Sequence, residues 1–197
     1  MELFKYHEFV SGQPRKGKSF YIQEKLNNVN YPILYISTKE ESFDKYIKAN
    51  KYSPLKLIAS ALKEKRKVFY KLDYERKVFE KEIYYLCKIL FTMKQNGKKC
   101  LVVFDECHNY CYEGQQDNSA YKVAQEGLYD IKAFFISQYP ANVSNRVLRS
   151  CELHTFFSMS NFEEKYAKSY GFDVDMIKAG LIKQYDKVQV LNGEVVK

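Results

Sequence analysis

Apolar residues gather along the chain in short continuous runs of strand length. Runs of this kind, bounded by charged or turn-forming residues, are typical of strands buried on both faces of a parallel sheet. They occupy residues 31–37, 67–72, 100–104, 131–137 and 153–157. A run of mixed apolar and aromatic character at residues 3–10 predicts one more strand near the start of the chain.

The segments between these runs carry a helical period. Ser53 and Pro54 predict a helix start, with Ser53 as the cap and Pro54 at the first helical position. Asp73 is expected to cap a long helix that ends near Asn96 and Gly97. Apolar residues of the first of these helices recur at i, i+3, i+4 and i+7, and they are Leu55, Ile58, Ala59 and Leu62. Further helices are predicted within residues 19–26, 117–127, 143–149, 162–170 and 174–179.

Strands that alternate with helices indicate an α/β domain with a mainly parallel central sheet. Residues 38–50 are polar with spaced aromatics and predict a helix or an irregular crossover. Residues 185–190 and 194–196 flank an Asn-Gly turn and predict a terminal β-hairpin. A chain of 197 residues without an evident linker is expected to form a single domain, residues 1–197. A ligand is expected at the carboxyl ends of the strands.

Composition is that of an ordinary globular protein. Hydrophobic residues make up 46% and charged residues 28%, and no apolar run approaches the roughly 20 residues that span a bilayer. No secretory signal is evident, so a cytoplasmic protein is expected. The five cysteines are then expected to be reduced. The net charge of +8 favours an anionic partner such as nucleic acid, although a generally lysine-rich composition explains it equally well.

A phosphate-binding pattern, G-x-x-x-x-G-K-S, lies between the first strand and the first helix. It comprises Gly12, Gln13, Pro14, Arg15, Lys16, Gly17, Lys18 and Ser19, followed by Phe20. The glycines allow several backbone N–H groups to point into one hollow, and the helix adds its positive N-terminal end. Lys18 would bind the β- and γ-phosphates of ATP, and the Ser19 hydroxyl would ligate Mg²⁺.

Two polar strand ends complete the predicted site. The apolar run 101–104 is followed directly by Asp105 and Glu106. This is a Walker B pattern, in which Asp105 would bind Mg²⁺. Because side chains alternate along a strand, Glu106 is expected to point elsewhere than Asp105, placed to activate a water. Gln138 follows the next strand and is the candidate sensor of the γ-phosphate.

With these three motifs, the chain resembles the FtsK/HerA-like group of additional-strand, catalytic-glutamate P-loop ATPases. Its compact length and the segment 181–185 are similar to the genome-packaging ATPases of archaeal icosahedral viruses. The resemblance implies a RecA-like fold and an ATP-driven ring, often a hexamer, that threads double-stranded DNA. It also implies capsid or membrane proteins of a virion as partners, and a site of action in the host cytoplasm or at the virion.

In such rings an arginine of the neighbouring subunit completes each active site, and Arg146 and Arg149 are the candidates here. Arg15 could also contact phosphate. A zinc site at Cys107, His108 and Cys111 is the weaker interpretation of that segment, because family spacing and a fourth ligand are missing. The stronger interpretation is a loop beside Glu106 whose cysteines are packed in the protein.

Two other functions stay open at this stage. The Asp-Glu-Cys-His-Asn segment is similar to Zot-like ATPases that assemble filamentous virions, although that family typically carries a transmembrane segment. A P-loop kinase acting on a small molecule is the third possibility. The adjacent Asp105 and Glu106 argue against the kinase.

Overall fold

A computed structural model describes residues 4–40, 45–73, 76–112, 114, 119–127, 129–183 and 186–196, with the side chains of residues 76–78 excepted. The strands are β1 Glu8–Ser11, β2 Ile33–Ser37, β3 Ile47–Asn50, β4 Lys67–Lys71, β5 Cys100–Phe104, β6 Ile131–Ser137, β7 Leu153–Phe156, β8 Val188–Leu191 and β9 Glu194–Val196. The helices are α1 Lys18–Asn27, α2 Leu55–Lys63, α3 Arg76–Gln95, α4 Ser119–Glu126, α5 Asn145–Arg149, α6 Asn161–Ser169 and α7 Val174–Ala179.

In the described part of the chain, nine strands form one sheet in the order β3-β4-β2-β5-β6-β1-β7-β8-β9. Pairs from β3 across to β7 are parallel, whereas β8 pairs antiparallel with β7 and β9 antiparallel with β8. The predicted α/β class and mainly parallel sheet are therefore confirmed. The expectation of a single domain remains a prediction.

Helices cover both faces of the sheet, because the central strands are apolar on both. On one face, α1 contributes Tyr21, Ile22 and Leu26 to a cluster that includes Val103 of β5 and Phe134 of β6. On the other face, residues of α2 to α7 pack against alternate positions of the same strands, among them Phe104 and Phe135. The sheet is thus the middle layer of three, and α1 lies alone on its face among the described helices.

Residues 38–50 differ from the sequence prediction. Ile47–Asn50 forms the edge strand β3, paired in parallel with β4, whereas a helix or crossover was expected; residues 41–44 lie outside the described residues. Only Ala49 of the four is buried. An edge strand with so few buried residues lacks the continuous apolar run from which a strand is predicted.

One predicted helix end differs from the structure, and two others involve residues outside the described ranges. Pro54, not Ser53, is the cap residue of α2, because the Ser53 hydroxyl accepts from the backbone N–H of Asn50 instead. The expected cap by Asp73 and the start of the helix predicted at 117–127 involve residues 74–75 and 117–118, which lie outside the described residues. The same holds for position 185 of the predicted hairpin.

No helix in the described ranges is long and apolar enough to cross a membrane.

Candidate active site

The sheet order brings the polar strand ends together. Strand β6 lies between β1, which leads into the glycine-containing loop, and β5, which leads into Asp105 and Glu106. Because these strands are parallel, their carboxyl ends share one edge of the sheet. A cavity of about 630 Å³ opens there. Its lining consists of Pro14, Arg15, Gly17, Lys18, Ser19, Phe20, Lys39, Asp105, Glu106 and Gln138.

The loop between β1 and α1 adopts backbone angles that explain its glycines. Gly12 has φ +151°, and a Cβ there would lie 2.8 Å from Cβ of Phe157. Gly17 has φ 95° and is the N-cap residue of α1. Arg15 between them has φ 60°, a left-handed value that costs a non-glycine residue of order 1–3 kcal/mol. The loop therefore stores strain at the mouth of the cavity.

Lys18, the first residue of α1, is buried where this loop meets the helix. Its Nζ donates to the carbonyl oxygens of Gly12, at 2.6 Å, and Gln13, at 2.8 Å. Burial lowers the pKa of Lys18 to about 8, against the opposing attraction of Glu106. An anionic ligand in the cavity would favour the charged ammonium and raise this pKa again.

Asp105 is buried at the end of β5 and held at both carboxylate oxygens. Oδ2 accepts from the Ser37 hydroxyl at 2.9 Å, and Oδ1 accepts from the backbone N–H of Glu106 at 3.0 Å. Ser19, in the first turn of α1, lines the same cavity. A hydroxyl and an oriented carboxylate are the oxygen ligands that Mg²⁺ prefers, so these residues fit the metal that the sequence predicts.

Glu106 faces the same cavity as Asp105, which corrects the expectation that the two point apart. The strand ends at Phe104, and Glu106 has the left-handed angles φ 51° and ψ 42°. Strand alternation therefore no longer applies to it. Its Oε1 accepts from Nζ of Lys39 and from Nε2 of Gln138, so the predicted base and the predicted sensor are in direct contact.

His108 supports Glu106 from the other side. Its Nε2 lies 3.5 Å from Oε2 of Glu106, and its Nδ1 is 3.1 Å from the Ser137 hydroxyl. Burial lowers the pKa of His108, while the charge of Glu106 opposes that shift. A neutral imidazole at Glu106 leaves the carboxylate available as a base.

Sequence reasoning missed Ser37 and Lys39 and considered His108 only within the weaker zinc interpretation. Ser37 and Lys39 follow the plain apolar run of β2, with no motif to single them out. The signal that could have found them is their position at a strand's carboxyl end, since such ends meet at one edge.

Three of the predicted phosphate-loop residues do not line the cavity. Gly12 and Gln13 contribute the carbonyl groups that hold Lys18. Lys16 lines a neighbouring cavity on the side of residues 157–160.

Of the predicted arginines, Arg15 lines the cavity, whereas Arg146 and Arg149 lie outside its described lining. Arg146 and Arg149 belong to α5, and the guanidinium of Arg146 is 5.5 Å from the ring centroid of Tyr121. A role in trans for either residue remains a prediction.

Cys107 and Cys111 are fully buried, and burial raises the pKa of Cys107 well above its usual range. Among the described residues, no group of three or more His, Cys, Asp or Glu side chains is placed to hold a metal ion. The packed-cysteine interpretation of this segment is the one the geometry favours.

Solved structures match the whole chain. B204, the genome packaging NTPase of Sulfolobus turreted icosahedral virus 2, in complex with AMP has a TM-score of 0.77 at 15% identity, over 100% of this chain and 98% of that chain. Its complex with ATP-gammaS has a TM-score of 0.73 at 14% identity, over 98% and 97% of the two chains. The chain has a P-loop NTPase fold.

The P-loop NTPase fold extends to larger ATPases. EccC of Thermomonospora curvata, a structure of ATPases 2 and 3 with a signal sequence peptide, matches with a TM-score of 0.59 at 11% identity. The match covers 99% of this chain and 38% of that one. No protein-family model and no curated protein matches the sequence. The resemblance to packaging and FtsK-like ATPases is thus confirmed at the level of the fold.

Proposed function

We propose that the protein is an ATPase whose hydrolysis drives the movement of double-stranded DNA in a homo-oligomeric ring, in the manner of a viral genome-packaging motor. The observation that carries the ATPase is the contact between Glu106 and Gln138 across a cavity that Lys18 also lines. These are a base, a polar sensor and a phosphate-binding cation in one place. The structural similarity to B204, a genome packaging NTPase, over 96% of that chain, supports DNA as the cargo.

The residues divide the reaction among them. The backbone N–H groups of Gly17, Lys18 and Ser19, which line the cavity, and the Lys18 ammonium would bind the triphosphate. Ser19 and Asp105 would hold Mg²⁺, which supplies positive charge at the phosphate oxygens. Glu106 accepts a proton from a water whose oxygen attacks the γ-phosphorus. The bond from that phosphorus to the β–γ bridging oxygen breaks, giving ADP and inorganic phosphate. Gln138, in contact with Glu106, orients the water.

Replacing Glu106→Gln tests the ATPase directly. The amide keeps the size of the side chain and cannot accept the proton, so kcat should fall roughly 10²- to 10⁴-fold, the usual contribution of a general base. Binding of a non-hydrolysable ATP analogue should persist. The matched control is Glu194→Gln, on the exposed strand β9, which should leave the rate unchanged.

Steady-state phosphate release gives the rate, and titration with a fluorescent nucleotide gives the affinity. An unchanged rate in the Glu106 variant would remove Glu106 from the mechanism.

The DNA cargo has a separate measurement. Addition of double-stranded DNA to the wild-type protein should stimulate ATP hydrolysis severalfold, in a ring whose Arg146 or Arg149 reaches the neighbouring cavity. Transfer of the phosphoryl group to a small-molecule acceptor, without any effect of DNA, would instead establish a kinase.

A further inference from the structure

A second cavity lies at the opposite end of the strands from the active site. It has a volume of about 450 Å³ and sits where the edge strands β3 and β4 begin. Its described lining consists of Lys45, Tyr46, Ile47, Lys65, Arg66 and Lys67. Four of these residues are basic, and none of the described lining is acidic.

The fold, more than the sequence, concentrates this charge. Parallel pairing sets Ile47 opposite Val68, so the residues that enter β3 lie beside those that enter β4. The turn before β4 leaves α2 tightly, with the backbone N–H of Arg66 donating to the carbonyl of Ala61 at 2.9 Å. Lys45 is thereby brought close to Lys67. The pKa of Lys67 is lowered first by its own burial and second by the positive charge of Lys45.

A structural role for these cations explains only part of the cluster. Basic residues near the C-terminal end of α2 interact favourably with the helix dipole, which accounts for Lys63, Lys65 and Arg66. Lys67 is used by the fold, since its Nζ donates to the carbonyl of Leu26 at 2.7 Å. Lys45 precedes β3 and Lys48 belongs to it, and both are exposed. The helix dipole does not account for them.

Some other lysines of the described surface pair with carboxylates. Lys168 and Lys178 both contact Glu164 at 2.7 Å, and Lys71 contacts Glu40 at 3.3 Å. At the edge cavity, Arg66 lies 3.8 Å from Glu64, with both side chains more than half exposed. An exposed pair of that kind contributes about 1 kcal/mol or less, so the described lining of the cavity keeps an excess of positive charge.

We infer that this edge cavity, together with Lys48 on β3, binds the phosphate backbone of nucleic acid. Clustered Lys and Arg side chains gain affinity for a polyanion by releasing its counterions, and they need no base contacts to do so. That the nucleic acid is double-stranded DNA rests on the proposed function. Since the P-loop lies at the carboxyl ends of the strands and this cavity at the amino ends, both ligands can be held at once.

The test is equilibrium binding of a fluorescent DNA duplex, without nucleotide, over a series of salt concentrations. The edge variant carries Lys45→Gln, Lys65→Gln and Arg66→Gln. The control variant carries the same loss of charge at exposed lysines elsewhere, Lys88→Gln, Lys98→Gln and Lys165→Gln. Two duplexes of unrelated sequence are compared.

For the edge variant, the slope of log K against log salt should become shallower by about 3, roughly one unit for each phosphate contact removed. Affinity should fall at least tenfold and equally for both duplexes, whereas the control variant should stay within about twofold of wild type. Equal binding by the edge and control variants overturns the inference. The proposed function is then decided separately, by whether DNA stimulates ATP hydrolysis. Wild-type protein that binds neither duplex overturns both.

Chemical footprinting of the wild-type protein gives a second measurement that needs no variant to fold. Acetylation of Lys45 and Lys65, read by mass spectrometry, should be slowed by bound duplex, while acetylation of Lys88 and Lys98 should not. Protection of the second pair alone would place the DNA elsewhere and overturn the inference.

Discussion

Gly12 sits where the phosphate-binding loop meets the strand beside it. Its backbone is in a region that favours glycine, and an added Cβ would lie 2.8 Å from Cβ of Phe157 and 3.3 Å from the backbone nitrogen of Ser158. The neighbouring Gln13 N–H donates to the Ser158 hydroxyl at 2.8 Å. The loop is therefore fitted against residues 157–158 at atomic contact, and Gly12 is the point of closest approach.

Gly12→Ala should destabilise the protein by about 2–4 kcal/mol, the sum of backbone strain and overpacking. Gly171→Ala is the control, since Gly171 also has a positive φ, +72°, but nothing lies within 4 Å of an added Cβ. That variant should lose only about 1 kcal/mol, the cost of the backbone conformation alone. Urea denaturation measures both, and equal losses would show that the contact with Phe157 is easily relieved.

At the scale of single residues, sequence identified side chains that lie in contiguous motifs. Lys18, Asp105 and Gln138 line one cavity. Each could be predicted from the sequence, because each belongs to a motif or follows the end of a strand. Ser37 and Lys39 belong to no motif, and only their position at the carboxyl end of β2 indicates a place in the site. Their contacts with the motif residues depend on the order of the strands in the sheet. The orientation of Glu106 was predicted wrongly because strand alternation was extended one residue beyond the strand.

Between elements, a buried polar network centred on Glu8 joins the P-loop strand to its surroundings. Oε1 of Glu8 accepts from the Tyr21 hydroxyl at 2.8 Å and from the Thr155 hydroxyl at 2.6 Å. Oε2 accepts from Nζ of Lys25 at 2.7 Å, and Nε2 of Gln189 donates to the Tyr21 hydroxyl at 2.9 Å. One carboxylate thus ties β1 to α1 and β7, and Tyr21 carries the connection on to β8.

Glu8→Gln should cost about 2–4 kcal/mol of folding free energy. The amide would face three donors with one acceptor oxygen, and Lys25 would lose its counter-charge in a partly buried place. The control is Glu164→Gln, whose two lysine partners are exposed and which should cost less than about 1 kcal/mol. Thermal and urea unfolding measure the difference, and a loss no larger than the control's would mean that the network contributes little.

Elements were predictable in proportion to their burial. Strands β5 and β6 are fully buried along their length, so their apolar runs have clear ends and the predicted bounds match. β3 is half exposed at the edge of the sheet and gave no such signal. The hairpin β8–β9 was predicted from its turn residues, but nothing local indicates that it extends the main sheet.

For the molecule as a whole, buried histidines make stability depend on pH. Burial lowers the pKa of His7 and of His154 to about 4 each. His7 Nδ1 accepts from the backbone N–H of Ala133 at 3.1 Å, and His154 Nδ1 is bonded to the Tyr166 hydroxyl. The contact of His7 requires the neutral ring, because its Nδ1 acts as an acceptor. In the unfolded chain the histidines have an ordinary pKa near 6.5. Between pH 6.5 and pH 4 the unfolded chain therefore binds protons at these histidines and the folded protein does not.

The resulting stability is complete above pH 6.5 and is lost as the pH falls towards 4. Each histidine should lower the free energy of unfolding by about 2 kcal/mol between pH 7 and pH 5, since one pKa unit corresponds to about 1.4 kcal/mol. Urea denaturation at both pH values gives the loss, and His154→Gln should remove about half of it. An unchanged free energy of unfolding at pH 5 would show that the rings are protonated in the folded state.

The α/β class was predictable because alternating strands and helices allow few architectures. Sheet order was not, since it follows from which apolar faces meet, and the number of subunits remains a prediction.

All five cysteines are buried: Cys87, Cys100, Cys107, Cys111 and Cys151. Burial raises the pKa of Cys100 to about 12 and that of Cys87, Cys107 and Cys151 well above the usual range. Thiol reagents such as maleimides attack the thiolate, so the native fold shields every one of these sulfurs. A single new thiol, for example from Lys48→Cys, can then carry a fluorophore without any prior removal of natural cysteines.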